Sequence, residues 1–158
     1  MLREKRASEI DKLLAKYPPE RKRSAVMPLL YMAQEEYGYC SPEAIKEVAE
    51  ILYLDPTEVK GVVGFYTMYR KNPVGTHVIE ICDDLPCALR GADKFVTQCE
   101  HKLGIKAGET TPDGKITLNV VMCIAACHRA PCAQVDWAYH YDLDEAKFDA
   151  LVSELRSE

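Results

Sequence analysis

The chain has 158 residues, 47% of them hydrophobic, and a formal net charge of −5. That is enough apolar material for a packed core. The acidic balance excludes a general affinity for nucleic acid or anionic lipid, which needs clustered Lys and Arg. The one basic cluster, Arg21-Lys22-Arg23, reads as a solvated helix start. The opening MLREKRASEIDKLL is charged and helix-patterned, without the features of a signal peptide, and the apolar runs are too short to span a bilayer. A cytoplasmic chain with no membrane insertion of its own is expected. Its seven cysteines, in a reducing compartment, point to metal or redox work rather than disulfides.

In chain order, Ile10, Leu13, Leu14 and Tyr17 make the first apolar helical face, ended by Pro18-Pro19. Val26, Leu30, Ala33 and Tyr37 trace a second, with Gly38 as its stop. Ser41-Pro42 caps a third, lined by Ile45, Val48, Ala49 and Leu52. Asp55-Pro56-Thr57-Glu58 reads as a capping box for a fourth, lined by Val59, Val62, Val63 and Tyr66. The stretch YRKNPVGT then breaks the pattern. Val78–Ile81 predicts a strand running into Cys82, and a helix is predicted from about Cys87, with Ala92, Phe95, Val96, Cys99 and Leu103 inward and Gly104 as C-cap. Thr111–Gly114 is a turn. Residues 116–122 alternate as a strand that delivers Cys123. A short strand over 133–137, a tyrosine-rich turn and a helix from about Asp144 complete the chain. The fold class expected is α+β: an N-terminal four-helix segment over 1–72, then a β-α-β-β-α domain over 73–158.

Two cysteine pairs stand out, Cys82-x4-Cys87 and Cys123-x3-Cys127, separated by 35 residues. Each begins where a predicted strand ends, and loops after adjacent strands can converge on one site. Thiolates are soft ligands that suit zinc or an iron–sulfur cluster. Structural zinc favours Cys-x2-Cys knuckles. The wider spacings here favour a two-iron cluster with one pair on each iron, zinc staying as the alternative. Small neighbours such as Ala125, Ala126 and Ala130 allow backbone N–H groups to approach the sulfurs. Cys87, at a helix start, gains dipole stabilisation as a thiolate. Cys99 reads as core, Cys40 as a bystander in a turn and Cys132 as a packing residue directed into the following strand by Pro131. His128 reads as a solvent-facing neighbour that could tune the site. Trp137, Tyr139 and Tyr141 read as a turn packed on the sheet. No nucleotide, flavin or hydrolytic motif is present. A thiol–disulfide protein would normally show Cys-x-x-Cys, which is absent.

The segments KYPPERKRSAVMPLLYMAQEEYGY, GVVGFYTMYRKNPVG, HVIEICDDLPCALRGAD and MCIAACHRAPCAQVD resemble the family of the 24 kDa (E) subunit of respiratory complex I, NADH:quinone oxidoreductase. They also resemble the equivalent diaphorase subunits of NAD-linked hydrogenases and formate dehydrogenases. The resemblance implies a thioredoxin-like domain with one [2Fe–2S] cluster, ligated by Cys82, Cys87, Cys123 and Cys127. It implies a partner that binds NADH and FMN, the 51 kDa (F-type) flavoprotein, and beyond it the large iron–sulfur subunit of the same peripheral arm. The role implied is non-catalytic: one electron exchanged with the partner's FMN, at the cytoplasmic face of the inner membrane. The partner contact falls on the helical half and the FYTMY segment, at Phe65, Tyr66 and Met68. Two positions depart from the family. Met122 stands where Glu is usual before the third cysteine, and Ala125 where Gly is usual after it. The bland alternative is an interaction module built on a four-cysteine zinc site.

Overall fold

A computed structural model describes residues 1–157. The chain divides into two compact units, Met1–Pro73 and a second that begins at Val74.

The first unit is helical: α1 (Leu2–Lys5), α2 (Ala7–Leu14), a 3-10 segment (Pro19–Ala25), α3 (Val26–Tyr37), α4 (Pro42–Leu52) and α5 (Pro56–Phe65). The predicted first helix is broken at Arg6, whose side chain pairs with Glu9 and Glu35 and donates to the Met32 carbonyl. The break lets Leu2 bury completely while its N–H donates to Glu47 at 2.7 Å. The basic cluster lies in the 3-10 segment rather than at a helix start. Helix ends follow the sequence signals: Gly38 is left-handed (φ 80°), Ser41 accepts from Ala44 N–H at 3.1 Å, and Asp55 accepts from Thr57 N–H at 2.7 Å. Glu58 reaches Arg23 at 3.0 Å. α5 stops at Phe65, which leaves Tyr66 extended (φ −90°, ψ 119°) rather than on the helical face. Ile10, Leu29, Leu30, Ala33, Val48 and Val59 form a sealed core.

The second unit is a four-stranded mixed sheet with helices: β1 (His77–Cys82), α6 (Leu85–Leu89), α7 (Ala92–Leu103), β2 (Ile116–Val121), β3 (Ala133–Val135), β4 (Ala138–His140) and α8 (Glu145–Ser157). The strand order is β2-β1-β3-β4, with β1–β2 parallel and the other two pairings antiparallel. The helix expected from Cys87 is two helices. Asp84 caps the first early, accepting from Leu85 N–H at 2.9 Å, and Gly91 (φ 90°) turns the chain into the second. The tyrosine-rich turn contains β4, formed by a hairpin over Asp136 and Trp137, both at positive φ. Gly75 is fixed by crowding: a Cβ there would lie 2.8 Å from the Lys115 carbonyl carbon. α7 and α8 seal the sheet, with Phe95 edge-on to Phe148 at 5.8 Å.

Candidate metal centre

Cys82 is the last residue of β1, and Cys123 follows β2 by two residues. Parallel pairing puts Cys82 beside Val121, so both cysteine loops leave the same end of the sheet. Cys82 and Cys87 are buried in a small-residue pocket with Ala92, Ala126 and Ala130, closed on one side by Ile124 and Tyr141. Cys123 and Cys127 are exposed, with Sγ atoms 3.9 Å apart. Two thiolates on one tetrahedral ion with bonds of about 2.3 Å lie roughly 3.8 Å apart. The exposed pair is therefore set for a shared ion, and an all-sulfur donor set suits a soft or borderline metal.

Burial pushes the Cys87 thiol well up, and the neighbouring Cys82 and Cys132 push it further. The expected dipole stabilisation of Cys87 is overridden, because α6 has only five residues and the pocket is dry. Cys127 is also raised, by its hydrogen bond with Cys123 first, and Cys82 contributes through charge. The two pairs thus lie within electrostatic reach. Ala125 N–H donates to Cys123 Sγ at 3.3 Å, a bond that stabilises the sulfur as a thiolate. To present that N–H, Ala125 takes φ 60°, the left-handed region.

The exposed loop is held from outside by groups with little signal in the sequence. Tyr139 on β4 donates to the Ile124 carbonyl at 2.9 Å and stacks on Tyr141 at 5.7 Å. Arg129 lies over Tyr141 at 4.6 Å and pairs with Asp142 at 2.6 Å. The two tyrosines, expected as part of a turn packed on the sheet, are thus a strap across the loop. Alternation in YHY is their only sequence signal.

Met122 is exposed and His128 sits 6.1 Å from Tyr141, ring to ring. Cys99 is core. Cys40 is buried in the helical unit rather than a surface bystander. Cys132 is fully buried, with its Sγ 3.8 Å from Cys87 Sγ, so its neighbours are sulfurs as well as alanines. In the helical unit, Phe65 is exposed, and Tyr66 and Met68 are partly so. The segment is pinned by Gln34, which donates to the Met68 carbonyl at 3.1 Å and accepts from Arg70 N–H at 2.6 Å.

A family model for thioredoxin-like [2Fe–2S] ferredoxins matches residues 10–156. The chain belongs to the thioredoxin-like [2Fe–2S] ferredoxin family. It is 42% identical over 149 residues to the E-type subunit 2 of NADH-quinone oxidoreductase from Rhizobium meliloti (strain 1021), covering 94% of this chain and 88% of that one. It is 41% identical over 149 residues to NADH-quinone oxidoreductase subunit 2 of Thermus thermophilus, covering 94% and 82%. Among solved structures, the air-oxidised NAD+-reducing [NiFe]-hydrogenase shares the fold, with a TM-score of 0.71 at 21% identity over 82% of this chain. The ferredoxin spans only 23% of that hydrogenase chain. The α+β, thioredoxin-like architecture expected from the sequence is therefore the family's own.

Proposed function

We propose that this ferredoxin is an electron-transfer subunit of an NADH:quinone oxidoreductase, holding one [2Fe–2S] cluster on Cys82, Cys87, Cys123 and Cys127. The observation that carries the reading is the arrival of both cysteine pairs at one sheet end, in a chain 42% identical to a subunit of NADH-quinone oxidoreductase. Bound there, the cluster supplies storage for a single electron. The chain's own contribution is to position and insulate. Cys82 and Cys87 hold the buried side, and Ala126 and Ala130 keep water from it. Cys123 and Cys127 hold the exposed side, with the Ala125 N–H bonded to Cys123 sulfur.

On this reading the electron comes from FMN on an NADH-binding flavoprotein partner, and this chain binds neither FMN nor NADH. Phe65, Tyr66 and Met68 supply apolar contact to that partner, and the large iron–sulfur subunit completes the peripheral arm. The chain sits at the cytoplasmic face of the membrane through its partners. No helix among the described residues is long and apolar enough to cross a membrane.

Anaerobic purification tests the core of this proposal. The chain should be coloured, with equal iron and acid-labile sulfide, and NADH should reduce it only when the flavoprotein is added. A colourless zinc protein would sink it. Co-purification with hydrogenase or formate dehydrogenase subunits would reassign the holoenzyme while keeping the cluster.

A further inference from the structure

The buried side of the centre contains one thiol more than one iron's share of the four ligands requires. The Sγ atoms of Cys82, Cys87 and Cys132 all lie within 4.8 Å of one another, and none of the three residues is more than 1% exposed. Cys82 and Cys132 are held together independently of Cys87. Cys82 N–H donates to the Cys132 carbonyl at 3.1 Å, where β1 meets the strand that begins at Ala133. Cys87 rides on α6, a helix of one and a half turns outside the sheet. The separation of two thiolates on one ion is roughly 3.8 Å, and Cys87 and Cys132 already stand at 3.8 Å. A change of side-chain rotamer is the scale of movement needed to seat any two of the three sulfurs on one ion.

We propose that Cys132 is a reserve ligand, taking the place of Cys87 beside Cys82 whenever Cys87 is lost from the buried iron. The proposal rests on the cluster reading above. The exchange moves one proton and no electrons: the Cys132 sulfur gives up its proton on binding, and the departing Cys87 sulfur takes one up. A purely packing role for Cys132 makes the opposite prediction, because an alanine-lined niche would accept any small apolar side chain.

The test uses the full chain and compares Cys87→Ser with Cys87→Ser/Cys132→Ala. Serine keeps the size of the side chain, and its oxygen would shift the absorption bands to the blue if it became the ligand. Iron per chain, the visible spectrum and the electron paramagnetic resonance of the reduced form are read. Cys87→Ser should retain iron with an all-thiolate spectrum, and the double variant should lose iron or show the blue shift. Two variants with the same iron content and spectrum overturn the proposal. Loss of iron in Cys132→Ala alone also overturns it, since Cys132 would then be a primary ligand. Iron-free wild-type protein removes the cluster reading and this inference together, whereas a loaded wild type with matching variants removes only this inference.

Discussion

Cys82 and Val121 stand side by side in the parallel register of β1 and β2. Because both strands run the same way, the two loops that follow start from a common floor. The 35 residues between the cysteine pairs are spent on α6, α7 and the return to β2, the crossover a parallel pair requires. The ligands are thus matched by sheet register, and a one-residue slip of β2 would flip its side chains between faces and misplace Cys123.

Met122 is exposed next to Cys123, at the position where Glu is usual in the family. A reduced cluster carries one more negative charge, so an added carboxylate opposes reduction. Met122→Glu should lower the midpoint potential, by on the order of a few tens of millivolts given solvent screening. Potentiometric titration of both forms decides this; an unchanged or raised potential removes the role of this position.

Ala125 holds a left-handed conformation at φ 60°. That conformation costs an L-residue roughly 1–2 kcal/mol, partly offset by the lower entropy of its unfolded chain relative to glycine. Ala125→Gly should therefore stabilise the unit by about 0.5–1 kcal/mol, read as a rise of roughly 2–4 °C in Tm. A lower Tm would show that the side chain makes a contact that outweighs the backbone strain.

Burial pushes the Cys99 thiol from 9.0 up to about 12, with Asp149 adding to the effect. Cys40 rises from 9.0 to about 11, again by burial. Both values are raised on folding, so the stability they contribute is whole below the unfolded value and is lost as pH climbs through the folded ones. Denaturant midpoints of the metal-free chain should fall between about pH 8 and about pH 10.5. Cys99→Ala should make that fall shallower whatever it does to the absolute midpoint, and an unchanged slope would count against burial of an ionisable thiol.

Phe65 protrudes from the end of α5, edge-on to Tyr66 at 5.0 Å. Its exposure separates binding from folding. Phe65→Ala should leave the thermal midpoint within about 1 °C, as surface changes do, while weakening association with the flavoprotein by roughly tenfold or more if the aromatic is an anchor. Titration of the partner onto immobilised chain measures this. Equal affinities would move the interface elsewhere.

Regular elements are legible in the sequence because their signals are local. Gly38, Ser41 and Asp55 end or start helices by rules that act within a turn, and alternation over 116–121 reports the buried face of β2. β4 is hidden because it has three residues, none fully buried, and its hairpin turns over Asp136 and Trp137 rather than over glycine. Gln34 is hidden for a different reason. Its partners are backbone groups at Met68 and Arg70, more than thirty positions away, and no periodicity encodes them. The environment of Cys132 escapes likewise: Pro131 correctly points the chain toward a strand, but adjacency to Cys87 is set by β1 and β3 pairing across the sheet.

The two sides of the centre are secured by different means, and this gives it a front door. One cysteine pair is set into the sheet and its pocket, while the other hangs on a loop fastened by Tyr139, Tyr141 and Arg129. Local opening of such a loop needs far less free energy than global unfolding. Chelators should therefore extract metal through residues 122–130 at a rate set by that fastening. Tyr139→Phe, which frees the Ile124 carbonyl, should speed extraction without moving the global melting transition. Metal retention in this ferredoxin is then a kinetic property of one strap rather than a measure of how stable the whole domain is.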